Sequence, residues 1–139
     1  MKIHLLYIGK PRDEHANRMA DEYVKRTSRY ARIEMREIHP VRFDPWEKHP
    51  SAAKILLDPA GKRFDSPAFS QFISKAESEG RELLFLVAGA EGPPQEWKDR
   101  ANTLLSLSPM TFPHELARVM LAEQLYRAFT TLRGHPYPK

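Results

Sequence analysis

The run Leu83-Leu84-Phe85-Leu86-Val87-Ala88 carries no polar side chain and ends abruptly on Gly89-Ala90-Glu91-Gly92-Pro93-Pro94. It is far shorter than the ~20 residues needed to cross a bilayer. An unbroken apolar run of this length, closed by glycines and prolines, reads as a parallel strand covered on both faces. Parallel strands need crossover connections, and the rest of the chain alternates accordingly. Ile3 to Ile8 is a short apolar run closed by Gly9, Lys10 and Pro11. Ala16, Met19, Ala20, Tyr23 and Val24 then fall on one face of a helix predicted over Asp13–Arg29, with Asp13 as its cap. Ile33 and Met35 alternate with charged residues in a second strand that ends near His39-Pro40.

Pro40, Pro45 and Pro50 make an irregular loop of the segment from His39 to Ser51, because each proline removes a donor and fixes φ. Lys54 to Leu57 reads as a third strand, closed by a turn at Asp58-Pro59-Ala60-Gly61. Ser66 then offers a cap and Pro67 a first helical residue, ahead of the stripe Phe69, Phe72, Ile73 and Ala76 and the stop at Gly80. A short helix is expected from Pro94 to Asn102, a fifth strand from Leu104 to Leu107, a loop from Ser108 to Pro113, and a long helix from His114 to Leu132. The alternation predicts an α/β fold, a mostly parallel sheet flanked by helices. At 139 residues a single domain over the whole chain is expected.

The last helix carries two apolar stripes: Leu116, Val119, Met120 and Tyr126 on one side, Leu121, Leu125, Ala128 and Leu132 on another. A helix that packs on its own sheet alone shows one stripe and a polar back, so the second predicts a homodimer contact. The net charge of +4 favours a polyanionic partner. The absence of cysteine removes disulfides, thiol nucleophiles and iron–sulfur ligation together. No membrane span and no export signal are expected, which makes the predicted location cytoplasmic.

All six glycines are expected at element ends. In open parallel sheets ligands bind beyond the carboxyl ends of the strands, so the candidate site is made of three loops: Asp58 to Lys62, Gly89 to Pro94 and Ser108 to Pro113. Gly89-Ala90-Glu91-Gly92 lacks the glycine and lysine pattern of dinucleotide and nucleotide-triphosphate loops. As a G-x-x-G nucleic-acid clamp it would set Glu91 against phosphate. The six histidines form no metal-binding spacing, and no metal is expected. Glu123 and Arg127 are neighbours one helical turn apart, and the tail Arg133-Gly134-His135-Pro136-Tyr137-Pro138-Lys139 mixes cations with an aromatic ring, a composition suited to RNA.

The stretch Leu105 to His114, followed by Arg118, by Ala122 to Phe129 and by Gly134-His135-Pro136-Tyr137, closely resembles the small SPOUT-class 23S rRNA pseudouridine-N3-methyltransferases. The likeness extends to Ile8-Gly9-Lys10, Leu57-Asp58, Gly61-Lys62 and Val87 to Gly92. It implies a C-terminal trefoil knot and S-adenosylmethionine held by Leu57, Ala88, Gly89, Leu107, Ser108, Pro109, Met110, Thr111 and Phe112. It further implies methyl transfer to N3 of a pseudouridine in the domain IV stem-loop of 23S rRNA, on the assembled ribosome. Glu123, Arg127, His135 and Tyr137 are then the candidate catalytic group, and His114, Arg118, Arg133 and Lys139 the candidate RNA contacts. An RNA-binding dimer without transfer activity, and a SPOUT enzyme with another RNA substrate, are the alternatives. The chain departs from the family pattern at Pro138, where a histidine is usual, at Ala88, where a glycine is usual, and in its short connection between the second and third strands.

Overall fold

In the computed structural model, which describes residues 1–137, every strand pairing is parallel. The strands are β1 (Lys2–Ile8), β2 (Arg32–Ile38), β3 (Ala53–Arg63), β4 (Leu83–Val87) and β5 (Thr103–Ser106), ordered β2-β1-β4-β3-β5. The helices are α1 (Glu14–Thr27), α2 (Pro45–Lys48), α3 (Ser66–Ser78), α4 (Gln95–Arg100) and α5 (His114–Leu132). β4 sits at the centre and is buried at every residue, as its unbroken apolar run requires.

Side chains alternate across the sheet and feed two cores. Ile3, Leu5, Ile55, Leu83, Phe85 and Val87 pack with Phe69 and Ile73 of α3 and with Leu121, Leu125 and Phe129 of α5. Leu6, Leu56, Leu84 and Leu86 pack on the other face with Ile38, Ala52 and Trp97. Lys54 belongs to this second face and is buried. Its Nζ donates to the His49 carbonyl at 2.5 Å and lies 5.8 Å from the centre of the Trp46 ring, and burial lowers its pKa below the usual lysine value.

Several local expectations are corrected. The proline-rich segment from His39 to Ser51 holds a helical turn, α2: Pro45 stands at its first position, where no N–H is needed, and Asp44 accepts the Trp46 N–H at 2.9 Å. Asp65, rather than Ser66, caps α3, its carboxylate accepting the Ala68 N–H at 2.8 Å, so Pro67 is the second helical residue. β3 does not stop at Leu57. It resumes after a bulge, with Leu57 and Lys62 both set opposite Leu105 of β5. Gly61 is therefore inside the strand rather than at an element end. A Cβ there would lie 2.5 Å from the Leu104 carbonyl oxygen, so the bulge can close on β5 only because that position has no side chain.

The two stripes of α5 also divide differently. Val119 and Tyr126 are buried, whereas Leu116 (48% exposed) and Met120 (39%) face outward, as does Met19 of α1 (51%). The start of α5 is latched to the segment before α1 by Glu115, whose carboxylate accepts the Arg12 N–H (2.5 Å), the Asp13 N–H (2.9 Å) and the Asn17 amide (3.3 Å). The Arg12 N–H, followed by those of Asp13 and Asn17, holds the Glu115 carboxyl below the usual carboxylate range. Among the described residues no helix is long and apolar enough to cross a membrane.

Two predictions follow from the packing. Gly61→Ala forces the bulge off β5 and lowers stability by about 1–3 kcal/mol in urea unfolding. Because folding depresses the Glu115 pKa, its contribution to stability is complete above the ordinary carboxylate pKa of about 4.3 and disappears as the pH falls through the folded value. Glu115→Gln is accordingly less stable than the parent near neutral pH, and urea curves taken at successively lower pH show the gap closing on the acid side. A gap that stays constant with pH would remove the carboxylate from this latch.

Candidate active site

The loops that leave β3, β4 and β5 meet α5 at the carboxyl edge of the sheet and enclose a cleft of about 680 Å³. Leu57, Asp58 and Pro59 form one wall, Val87 to Pro93 the floor, Leu107, Ser108 and Met110 to Pro113 the other wall, and His114 with Ala117 the back. Parallel pairing places these segments together, since every strand then ends at the same edge.

The walls are braced from outside. Lys98 of α4 reaches 2.9 Å from Asp58 Oδ2, while Asp58 Oδ1 accepts the Ala60 N–H at 2.9 Å. These donors, Lys98 first, hold the Asp58 carboxyl below its usual range. Ser106 donates from its hydroxyl to the Pro59 carbonyl at 3.0 Å, tying the bulge to the end of β5. In the third loop the Met110 N–H donates to Ser108 Oγ at 3.1 Å, and in the second the Gly92 N–H donates to the Gly89 carbonyl at 2.9 Å with Gly92 at φ +75°. The cleft thus has hydrogen-bonded loops rather than loose ones.

Eight of the nine residues expected to bind the cofactor line this cleft: Leu57, Ala88, Gly89, Leu107, Ser108, Met110, Thr111 and Phe112. Pro109 is on the same loop but exposed and outside the lining. His114, expected to touch RNA, is instead part of the cleft wall beside Gly9, and its Nε2 is buried with no hydrogen-bond partner among the described residues. Arg118, also expected at RNA, is 1% exposed. Its guanidinium lies 3.7 Å from the Tyr7 ring centre, Nη2 donates to Asn17 Oδ1, and it belongs to the latch between α1 and α5. Sequence spacing gave no sign of this, because the partners are a hundred residues away.

Of the four candidate catalytic residues, three come together. Arg127 donates to Glu123 Oε2 from Nε (3.1 Å) and Nη2 (2.8 Å), and the Tyr137 hydroxyl donates to the same oxygen at 2.8 Å. Burial first, then hydrogen bonds to Tyr23 and Glu123, push the Tyr137 pKa upward, so the phenol stays a donor. The bond to Glu123 likewise raises the Arg127 pKa and fixes it as a cation. The His135 side chain stands apart: the ring is exposed and its Nδ1 accepts the Tyr137 N–H at 3.1 Å, shaping the turn of the tail. Arg133 pairs with Glu77 at 2.6 Å, and Lys139 lies outside the described residues. The cluster is not in the cleft: Glu123 follows His114 by nine residues along α5, an axial rise of about 13 Å. It borders instead a groove lined by Met19, Tyr23, Phe64, Val119 and Met120.

Comparison with known proteins identifies the family. Residues 1–138 match the family described as "Predicted SPOUT methyltransferase". "Ribosomal RNA large subunit methyltransferase H" of Solibacter usitatus is 61% identical over 137 residues, covering 99% of both chains, and the protein of the same name from Gloeobacter violaceus is 37% identical over 99% of this chain and 98% of its own. Among solved structures, a probable methylase family protein from Haemophilus influenzae superposes with a TM-score of 0.63 at 8% identity, covering 99% of this chain and 70% of that one. A probable methyltransferase from Bordetella pertussis does so at 0.60 and 9% identity, covering 92% and 94%. These structural likenesses concern the fold. The sequence matches run the length of the chain, and by them it belongs to the SPOUT methyltransferases, in the group named ribosomal RNA large subunit methyltransferase H.

Proposed function

We propose that this chain transfers a methyl group from S-adenosylmethionine to N3 of a pseudouridine in the domain IV stem-loop of 23S rRNA, acting in the cytoplasm on assembled ribosomes. The observation that carries this reading is the cleft at the carboxyl edge of the sheet, where three loops distant in sequence converge. Its chemistry fits the cofactor. Leu57, Val87, Leu105, Leu107 and Phe112 provide apolar walls for a flat heterocycle, Asp58, Glu91 and Lys98 set both signs of charge around a zwitterionic portion, and His114 Nε2 is a buried polar atom in need of a partner. A knotted thread through these loops, as the family resemblance implies, would hold them at fixed separation.

The cofactor when bound supplies an electrophilic methyl on a sulfonium, and what remains for the protein is orientation and charge. The loops after β3, β4 and β5 fix the cleft walls against which the acceptor ring is aligned. As N3 gains the methyl group it must lose its proton, and the negative charge that develops on the imide needs a cation beside it. Arg127 is that cation. Glu123 is a positioning residue: Oε2 accepts from Arg127 and Tyr137 and so holds the guanidinium and the phenol in place. Tyr137, held protonated, is a donor rather than a base. The proton therefore passes to solvent.

The separation between this cluster and the cleft supports a homodimer. Leu116 and Met120 of α5 expose their side chains together with Met19 of α1, and a second copy packed on this face brings one subunit's Glu123, Arg127 and tail toward the other's cleft. The test is transfer of labelled methyl from S-adenosylmethionine to ribosomes lacking this modification, followed by mapping of the labelled nucleotide. Label at that pseudouridine is the expected result; a folded, dimeric protein that leaves the ribosome unlabelled overturns the assignment. Arg127→Ala should reduce transfer by about 10²–10³-fold while cofactor affinity, read by calorimetry, changes little. Parallel loss of both would place Arg127 in the cofactor site instead.

A further inference from the structure

At the amino-terminal edge of the sheet, opposite the cleft, a polar cluster gathers around one buried histidine. His4 of β1 is 1% exposed. Its Nδ1 lies 2.8 Å from Glu34 Oε1, across the parallel register on β2, and its Nε2 lies 2.9 Å from Glu82 Oε2, at the entry to β4. His49, in the connection from β2 to β3, lies over the His4 ring with centroids 4.0 Å apart and its Nδ1 3.9 Å from the same Glu82 oxygen. One donor atom from each of His4, His49 and Glu82 lies within 4.8 Å of the others.

We propose that His4, His49 and Glu82 form a site for a divalent metal ion of the zinc type, with Glu34 as the residue that orients His4. Two imidazoles and a carboxylate, with water in a remaining position, form a recurrent donor set for zinc. In a tetrahedral site with bonds near 2.0–2.1 Å, donor atoms stand roughly 3.3 Å apart, so the separations here close with small side-chain movements. Glu34 fills the role that histidine ligands require: a carboxylate on the second ring nitrogen fixes the tautomer and leaves Nε2 free for the ion. The charges also suit a cation, because two carboxylates, Glu34 and Glu82, flank the His4 ring at 2.8 and 2.9 Å.

The rest of the site suits a fixed ion. Lys54 Nζ holds the His49 carbonyl, so the backbone stays in place while the His49 ring, now tilted 36° from that of His4, turns toward the ion. His49 and Glu82 keep part of their side chains open to water, which gives the ion a way in. A nitrogen-rich donor set selects zinc, cobalt, nickel or copper over magnesium and calcium. The ion would tie the short β2–β3 connection to the two central strands, at a distance from the methyl-transfer site.

The experiment uses the untagged chain, stripped with chelator and titrated with Co²⁺ alone, followed by displacement with Zn²⁺. Wild type should bind one Co²⁺ with the visible absorption of a low-coordinate site and lose that spectrum as Zn²⁺ replaces it. His49→Ala and Glu82→Gln, each checked for folding by circular dichroism, should weaken Co²⁺ by at least about 10-fold, since each removes a ligand. Glu34→Gln should weaken it by about 10–100-fold without removing one. No saturable spectrum in wild type overturns the proposal. So does a spectrum of unchanged affinity in both His49→Ala and Glu82→Gln, which would place the ion on other histidines.

Discussion

Parallel pairing is the constraint on which the rest of this molecule depends. Because all five strands point the same way, their carboxyl ends share one edge, and every loop that leaves them is delivered to the same place. The same pairing demands cover on both faces. α3 and α5 with α1 supply it on one side, while α4, α2 and the connection from β2 supply it on the other. The long α5 thus serves twice, with Leu121, Leu125 and Phe129 completing a core and His114 and Ala117 closing the cleft.

The chain solves a geometric problem in a small space. From β2, at one edge of the sheet, it must cross β1 and β4 before pairing again as β3, and it has only residues 39–52 in which to do so. A full-length helix does not fit. A single turn, α2, together with Trp46, Phe43 and His49, covers the second face instead, and Trp46 meets Trp97 of α4 edge to face at 6.0 Å. The prolines that make this stretch read as irregular are the residues that make its turns possible.

What was legible in the sequence was periodic or local. The apolar run of β4, the single stripe of α3, the Asp13 cap of α1 and the loops after the strands could all be placed from spacing, and those loops are where the cleft lies. What was hidden depends on residues far apart along the chain. Gly61 reads as a turn glycine because the carbonyl that excludes its side chain belongs to Leu104. Arg118 reads as a cation for RNA because Asn17 and Tyr7, which enclose it, are a hundred positions earlier. His4 and His49 show no ligand spacing because β1 and the crossover meet only in the folded sheet. The cluster of Glu123, Arg127 and Tyr137 is intermediate: helical spacing gives the first pair, and only the turn of the tail returns the phenol to it.

Lys54 has one more consequence. It is the only buried lysine among the described residues, enclosed by Trp46 and tied to the backbone of the β2–β3 connection. Its amine is shielded from reagents that reach the exposed lysines, and it becomes reactive when that connection lifts away from the sheet. Where that opening is easier than global unfolding, the rate at which Lys54 acquires a covalent label in the otherwise native protein is a clock for opening of the crossover, read at one atom.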